Sequence, residues 1–119
     1  MSCLFNSLGH LLEIPSNTMR QTICDYLAEN KPIIEGMSTS DILAFEGANY
    51  ICNMRQSHVW GGAIEIQVAV RIWNIRIIVQ NHRDGSRPIE FIPPSPEYTR
   101  TLTIYWTGGH YEPVCSIDI

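Results

Sequence analysis

The chain has 119 residues, of which 45% are hydrophobic and 17% charged, and its formal net charge is -4. This length allows one compact domain over residues 1–119 and excludes a second domain with its own core. The acidic balance and the lack of a Lys/Arg cluster argue against a nucleic-acid partner, and no apolar run reaches the roughly 18 residues that span a membrane.

The four cysteines are scattered along the chain and form no C-x-x-C pair: Cys3, Cys24, Cys52 and Cys115. Neither a zinc site nor a disulfide framework is therefore predicted, and we expect no metal or cofactor. The N-terminus lacks a basic region followed by an apolar stretch, so no secretion signal is expected. A reducing cytoplasm suits the free thiols.

The first predicted element is a helix that begins at Cys3. Leucines recur at helical spacing at positions 4, 8, 11 and 12 and are followed by Pro15, which indicates two to three turns. The Cys3 thiol then lies in the first turn, where unpaired N–H groups and the positive end of the helix dipole favour thiolate over thiol.

Two further helical segments follow. The sequence TMRQ at residues 18–21 has the form of a capping box and predicts the start of the second helix, which should end near residues 31–32. A third segment should start between Ser38 and Asp41 and include Phe45. Gly47 is expected to interrupt it before residues 50–55.

The segment from residue 61 to 79 fits two interpretations. Between residues 64 and 73, β-branched residues alternate with other residue types, which is typical of a strand. A helix also fits, because Gln67, Arg71 and Asn74 would form one polar stripe. Periodicity alone favours the strand.

The remaining pattern predicts short strands. Residues 75–80 should form a strand, residues 82–85 a turn, residues 88–92 a short edge strand and residues 93–96 a proline-rich loop. Residues 101–107 and 111–117 flank Gly108 and Gly109, and they are expected to form a hairpin or two neighbouring strands.

Three motifs occur in order along almost the whole chain. The sequence CLFNS at residues 3–7 matches the second half of D-G-x-C-L-F-R-[SA]. Tyr50 and Met54 precede WGGAIEIQVA at residues 60–69, and a hydrophobic strand leads into GGHY at residues 108–111. Together these motifs resemble the OTU (ovarian tumour) domain cysteine proteases, a family of deubiquitinating enzymes.

The resemblance implies an α+β fold of the papain-like cysteine proteinase superfamily, OTU type. It contains a small mixed β-sheet of about four or five strands flanked by helices. The segment after W-G-G is a helix in this family, so we expect a helix rather than a strand between Gly62 and Asn74.

The resemblance also implies a catalytic site. Cys3 would be the nucleophile and His110 the general base and acid, and the partner would be ubiquitin or polyubiquitin, with ubiquitin-like modifiers left open. Glu112 stands where the family often has an Asp or Asn that orients the histidine. Residues i and i+2 of a strand share a face, so Glu112 can lie beside His110, although it can equally be a solvated carboxylate.

Further residues are expected to receive the substrate. Trp60, Gly61, Gly62 and Tyr111 would shape the channel for the di-glycine tail of ubiquitin, although Trp60 can equally be a core anchor. His58, in the preceding loop, could also reach the cleft. The ubiquitin tail is rich in arginine, which makes acidic residues candidates for a groove: Asp41, Glu46 and Glu65.

The family has Asp-Gly-x before the nucleophile, whereas this sequence has only Met1-Ser2 there and no counterpart of the Asp. This departure affects the site that binds the oxyanion. Either the backbone N–H groups of Ser2 and Cys3 supply it, or the natural chain has residues upstream, or the enzyme is slow. This departure, together with Glu112, keeps an inactive ubiquitin-binding module open as an alternative. A papain-like hydrolase of a peptide or cell-wall substrate is a third. The small size resembles viral or bacterial effectors, which would act in the cytoplasm of a host.

Overall fold

The computed structural model describes residues 3–34, 36–57, 59–81, 87–95, 97–107 and 111–113. In these ranges, helices precede strands along the chain. The helices are α1 (Cys3–Leu12), α2 (Ser16–Ala28), α3 (Thr39–Glu46), α4 (Tyr50–Met54) and α5 (Ala63–Trp73). The strands are β1 (Arg76–Asn81), β2 (Ile89–Phe91), β3 (Thr101–Trp106) and β4 (Tyr111–Pro113).

The strands form one mixed sheet in the order β2-β1-β3-β4. The central strands β1 and β3 run parallel, with Ile77 opposite Leu102, while β2 and β4 pair antiparallel at the two edges. Side chains alternate between the two faces of a strand, and Ile77, Val79, Leu102 and Ile104 are all buried on the same face. The predicted edge position of the β2 segment is therefore confirmed, and β3 and β4 are neighbouring strands, one of the two predicted arrangements. Residues 114–117 of the second predicted strand lie outside the described residues.

Two helices, α1 and α5, cover the buried face of this sheet. α1 packs against α2, β3 and β4, and α5 packs against α2, β1 and β2. The core joins apolar side chains from the helices to those of the strands, with Leu4, Phe5 and Leu8 of α1 among the least exposed. The predicted α+β architecture, a small mixed sheet flanked by helices, is confirmed.

The ambiguous segment is helical, as the resemblance implied, and the interpretation drawn from its periodicity is wrong. In α5, Glu65 and Ala69 are buried together with Ile66, Val68 and Val70. In a strand, the first two would lie on the face opposite the other three. Packing against α2 and the sheet therefore outweighs the β-propensity of the branched residues.

The second helix begins earlier than predicted. Its first residue is Ser16, and the Met19 N–H already donates to the Pro15 carbonyl over 3.0 Å, so Thr18 lies inside the helix and does not cap it. The preceding helix ends in a left-handed turn: Glu13 has φ 59°, and the Ile14 N–H donates to the Gly9 carbonyl over 2.9 Å. This turn satisfies a carbonyl at the end of α1 and brings the chain close enough for α2 to start at once.

Some predictions fall on residues outside the described ranges, namely the turn at residues 82–85 and the positions of Ser2, His58 and His110. Among the helices that are described, none is long and apolar enough to cross a membrane.

Candidate active site

Cys3 is the first residue of α1, as predicted, and its side chain is nearly buried, with 9% of its surface exposed. The Ser7 hydroxyl donates to the Cys3 carbonyl over 2.8 Å, which ties the first turn of the helix together. The first N–H groups of any α-helix have no acceptor within the helix, so a thiol at this position meets the positive end of the helix dipole.

The segment Trp60–Gly62 runs directly beside the helix that carries Cys3. A β-carbon placed on Gly61 would lie 2.9 Å from Leu4 Cδ2 and 3.0 Å from Phe5 Cε2. A larger residue at this position would force the Leu4 or Phe5 side chain to shift. Gly61 therefore brings the backbone of this segment against the residues that immediately follow Cys3.

Tyr111 completes the third side of this region. It lies opposite Trp106 in the β3–β4 pair and packs, partly buried, against the core. Burial raises the pKa of Tyr111, and the proximity of Cys3 and Glu65 raises it further. α1 packs against β4, and Ala63 at the start of α5 lines one cavity with Tyr111 at the start of β4.

Glu112 is exposed and pairs with Tyr105 of β3. Because side chains alternate along a strand, Glu112 and Tyr111 point to opposite faces of the sheet. Since His110 is outside the described residues, the orienting role of Glu112 stays a prediction.

Trp60 lines a cleft of about 440 Å³ together with Tyr50, Gly61, Gly62 and other residues. It is 52% exposed, so it is not a buried core anchor. A β-carbon on Gly62 would meet no atom within 4 Å. The open side of this segment is therefore accessible, whereas its Gly61 side is closed against α1.

The start of α5 is held by the buried carboxylate of Glu65. The Gly62 N–H donates to Glu65 Oε1 over 2.7 Å, and the Tyr50 hydroxyl donates to Glu65 Oε2 over 2.6 Å. Burial raises the pKa of Glu65, and these two hydrogen bonds oppose the increase. Glu65 is only 1% exposed, so its predicted place in an acidic groove is wrong, whereas Asp41 and Glu46 are exposed.

A second buried charge, Arg20 of α2, lies on the other side of Phe5. Its guanidinium carbon is 4.3 Å from the centroid of the Phe5 ring, and one of its nitrogens donates to the Met54 carbonyl over 2.7 Å. Burial lowers the pKa of Arg20, and the nearby Cys24 and Glu65 oppose this decrease. The arginine thus joins α2 to α4 beside the Phe5 ring of α1.

This polar layer was not predicted from the sequence. Arg20 was predicted only as part of a capping box, Tyr50 only as part of a family motif, and Glu65 as a candidate for a surface groove. One signal was available, because Glu65 stands three residues after Gly62, the spacing at which a carboxylate reaches back to the first N–H of a helix.

The other described thiols differ from Cys3 in their surroundings. Cys24 is fully buried, and burial raises its pKa to about 11, whereas Cys52 is exposed on α4. Within the described ranges, no group of three or more His, Cys, Asp or Glu side chains could hold a metal ion.

The chain matches the profile of a known protein family. The profile described as OTU-like cysteine protease matches residues 2–111. The chain belongs to this family. Its curated relatives include ubiquitin thioesterase OTU1 of Mus musculus, 26% identical over 119 residues, and that of Danio rerio, 24% identical over 120 residues. The matches cover 95% of the chain but only 33% and 38% of these relatives, so the chain spans little more than a third of their length.

Solved OTU domains have the same fold. An OTU domain in complex with ubiquitin has a TM-score of 0.75 at 20% identity and covers 94% of this chain and 62% of its own. The viral OTU protease of Dera Ghazi Khan virus has a TM-score of 0.68 at 24% identity, covering 94% and 72%. An OTU deubiquitinase of Wolbachia pipientis bound to ubiquitin has a TM-score of 0.65 at 17% identity, covering 96% and 89%. The described helices and sheet therefore have the OTU fold.

Proposed function

We propose that the chain is a deubiquitinating cysteine protease that hydrolyses the isopeptide bond between the C-terminal glycine of ubiquitin and a lysine. The observation that carries this proposal is the position of Cys3 at the first residue of α1, beside Gly61 and near Tyr111, in a chain of the OTU-like family. Solved OTU domains with bound ubiquitin support ubiquitin as the partner.

In the first half of the reaction, Cys3 forms a thioester with ubiquitin. His110 removes the thiol proton, and the sulfur electron pair attacks the carbonyl carbon of the C-terminal glycine. The resulting oxyanion accepts hydrogen bonds from backbone N–H groups, for which Ser2 and Cys3 are the candidates. The C–N bond then breaks, and His110 returns the proton to the leaving lysine amine.

In the second half, water releases the product. His110 takes a proton from a water molecule, whose oxygen attacks the thioester carbonyl carbon. The C–S bond breaks, the sulfur regains its proton, and ubiquitin leaves with a free carboxylate. Glu112 would orient the imidazole ring of His110 through both steps. No metal or cofactor takes part in this proposed sequence.

The tail of ubiquitin would enter along Trp60–Gly62 and Tyr111. Gly62 leaves open space beside the backbone, and the exposed Trp60 ring gives the passage an apolar wall. A tail that ends in two glycines fits such a passage because it carries no side chain next to the scissile bond.

A ubiquitin probe with an electrophile in place of its C-terminal carboxylate tests the proposal. We expect the wild-type chain to form a covalent adduct, Cys3→Ala to form none, and Cys52→Ala, which lacks an exposed thiol, to react like the wild type. Tight noncovalent binding without an adduct would instead indicate a ubiquitin-binding module. If the chain neither reacts with the ubiquitin probe nor binds it, the result would favour another papain-like hydrolase. Probes built on ubiquitin-like modifiers, used in parallel, define the range of partners.

A further inference from the structure

We propose that Glu65 is a positioning residue that fixes the Trp60–Gly62 segment in the conformation that receives the tail of ubiquitin, and that Tyr50 holds Glu65 in place for this task. The inference rests on the proposed function of the chain. It assigns a role to two buried polar side chains that take no part in the chemical steps.

The first observation is the contact between Glu65 and the backbone of Gly62. Glu65 Oε1 accepts the Gly62 N–H over 2.7 Å, in the manner of the glutamate of a capping box, while glycine has no side chain with which to reciprocate. The carboxylate is 1% exposed, so water does not compete for this hydrogen bond. Glu65 therefore holds the backbone of the segment at Gly62.

This hydrogen bond orients a whole peptide group. The peptide between Gly61 and Gly62 is planar and trans, so its N–H and C=O point in opposite directions. When Glu65 holds the Gly62 N–H, the Gly61 carbonyl is directed away from the carboxylate. A polar acceptor is thus fixed in direction on the segment that would line the tail passage.

The second observation is that the same segment is clamped on its other side by the nucleophile helix. The missing side chain of Gly61 leaves its backbone in contact with Leu4 and Phe5, directly after Cys3. The segment therefore lies between Glu65 and α1. A change in the Gly62 hydrogen bond alters the passage next to the thiol without removing any group that reacts.

The third observation is that Glu65 is itself held by another helix. The Tyr50 hydroxyl of α4 donates to Glu65 Oε2 over 2.6 Å, which leaves Oε1 directed at Gly62. A helix cap that served α5 alone would need only the Gly62 contact. The additional bond from Tyr50 couples the Trp60–Gly62 segment to α4.

Three variants test the inference. Glu65→Ala removes the acceptor, Glu65→Gln retains an oxygen for the Gly62 N–H, and Tyr50→Phe removes only the hydroxyl that holds the carboxylate. Tyr26→Phe is the matched control, because its hydroxyl donates to the Pro32 carbonyl, far along the chain from the passage.

The first measurement is amide hydrogen exchange at Gly62 in the full chain, which needs no catalytic activity. We expect exchange about tenfold faster or more in Glu65→Ala, a smaller increase in Tyr50→Phe and no change in Tyr26→Phe. Equal exchange in Glu65→Ala and wild type would overturn the positioning role.

The second measurement compares two reactions of Cys3. With a fluorogenic ubiquitin substrate, kcat/KM should fall about 10- to 100-fold in Glu65→Ala, mainly through a higher KM, with partial recovery in Glu65→Gln. The rate of Cys3 alkylation by iodoacetamide should stay within about threefold of wild type, because the thiol and α1 are intact. A parallel fall of both rates would mean that Glu65 only supports the fold, and would overturn the inference.

The two hypotheses fail in different ways. A wild-type chain that does not react with the ubiquitin probe, but in which Glu65→Ala accelerates exchange at Gly62, overturns the proposed function and leaves the Glu65–Gly62 contact established. A chain that reacts with the probe equally well with and without Glu65 overturns the inference and leaves the proposed function standing.

Discussion

A β-carbon on Gly61 would lie 3.0 Å from Cζ of Phe5, so the backbone before α5 touches the helix that carries Cys3 with no room for a side chain. Phe5 is fully buried and is covered on another side by the guanidinium of Arg20. The aromatic ring therefore cannot move aside easily. The position of the Trp60–Gly62 segment relative to Cys3 is set by this contact.

Gly61→Ala should destabilise the protein and impair the proposed reaction. The added methyl group must displace Leu4 or Phe5, and overpacking of this kind costs about 1–3 kcal/mol. Gly62→Ala is the matched control for stability, because a β-carbon there meets no atom within 4 Å. Urea denaturation of both variants checks the prediction, and equal stability of the two would contradict it.

Glu112→Gln should lower kcat of ubiquitin hydrolysis while leaving the fold intact. Glu112 is exposed, so its loss costs little stability, but a carboxylate that orients a catalytic histidine can be worth orders of magnitude in turnover. We expect a fall of about tenfold or more, with Glu97→Gln, another exposed glutamate, unchanged. Near-normal turnover of Glu112→Gln would show that Glu112 is only a solvated strand residue.

The free energy of unfolding should depend on pH through Glu65. Burial raises the pKa of Glu65, so stability contributed by its neutral form is present below the ordinary pKa of 4.5 and lost as the pH rises through the folded value. Glutamine does not titrate, so Glu65→Gln should lose less stability than the wild type as the pH is raised. Chemical denaturation at pH 5 and pH 7 checks this, and equal changes in the two proteins would contradict it.

The buried thiol of Cys24 should weaken the fold in alkali. Burial raises its pKa from 9.0 to about 11, so between these values the thiol ionises in the unfolded chain but not in the folded one. The free energy of unfolding should consequently fall as the pH rises through this window. Cys24→Ala should reduce the steepness of the fall relative to Cys52→Ala, whose thiol is exposed, and equal slopes would argue against the burial effect.

The fold could be predicted from the sequence where pattern and packing agree. The spacing of the leucines predicted α1, and the short apolar runs around Gly and Pro predicted the strands. The helix α5 could not be predicted from periodicity, because Ile66, Val68 and Val70 favour a strand individually and become helical through their burial among α2 and the sheet. The family motif supplied what local propensity lacked.

The candidate site could be predicted only in part, because motifs reveal some of its residues and tertiary contacts reveal the others. Cys3 at a helix start and the glycines after Trp60 follow from short motifs. The buried layer of Arg20, Tyr50 and Glu65 does not, because charged residues are ordinarily exposed and their pairing joins three helices that are distant in sequence. Only the tertiary structure identifies which glutamate is inside.

α1 and β4, which pack against each other, are the first and the last of the described elements along the sequence. Contacts between segments so distant in sequence form late in folding, because a long loop must close first. During synthesis α1, with the proposed nucleophile Cys3, therefore emerges long before the strand that packs against it, and this part of the candidate site is assembled only once both elements are present.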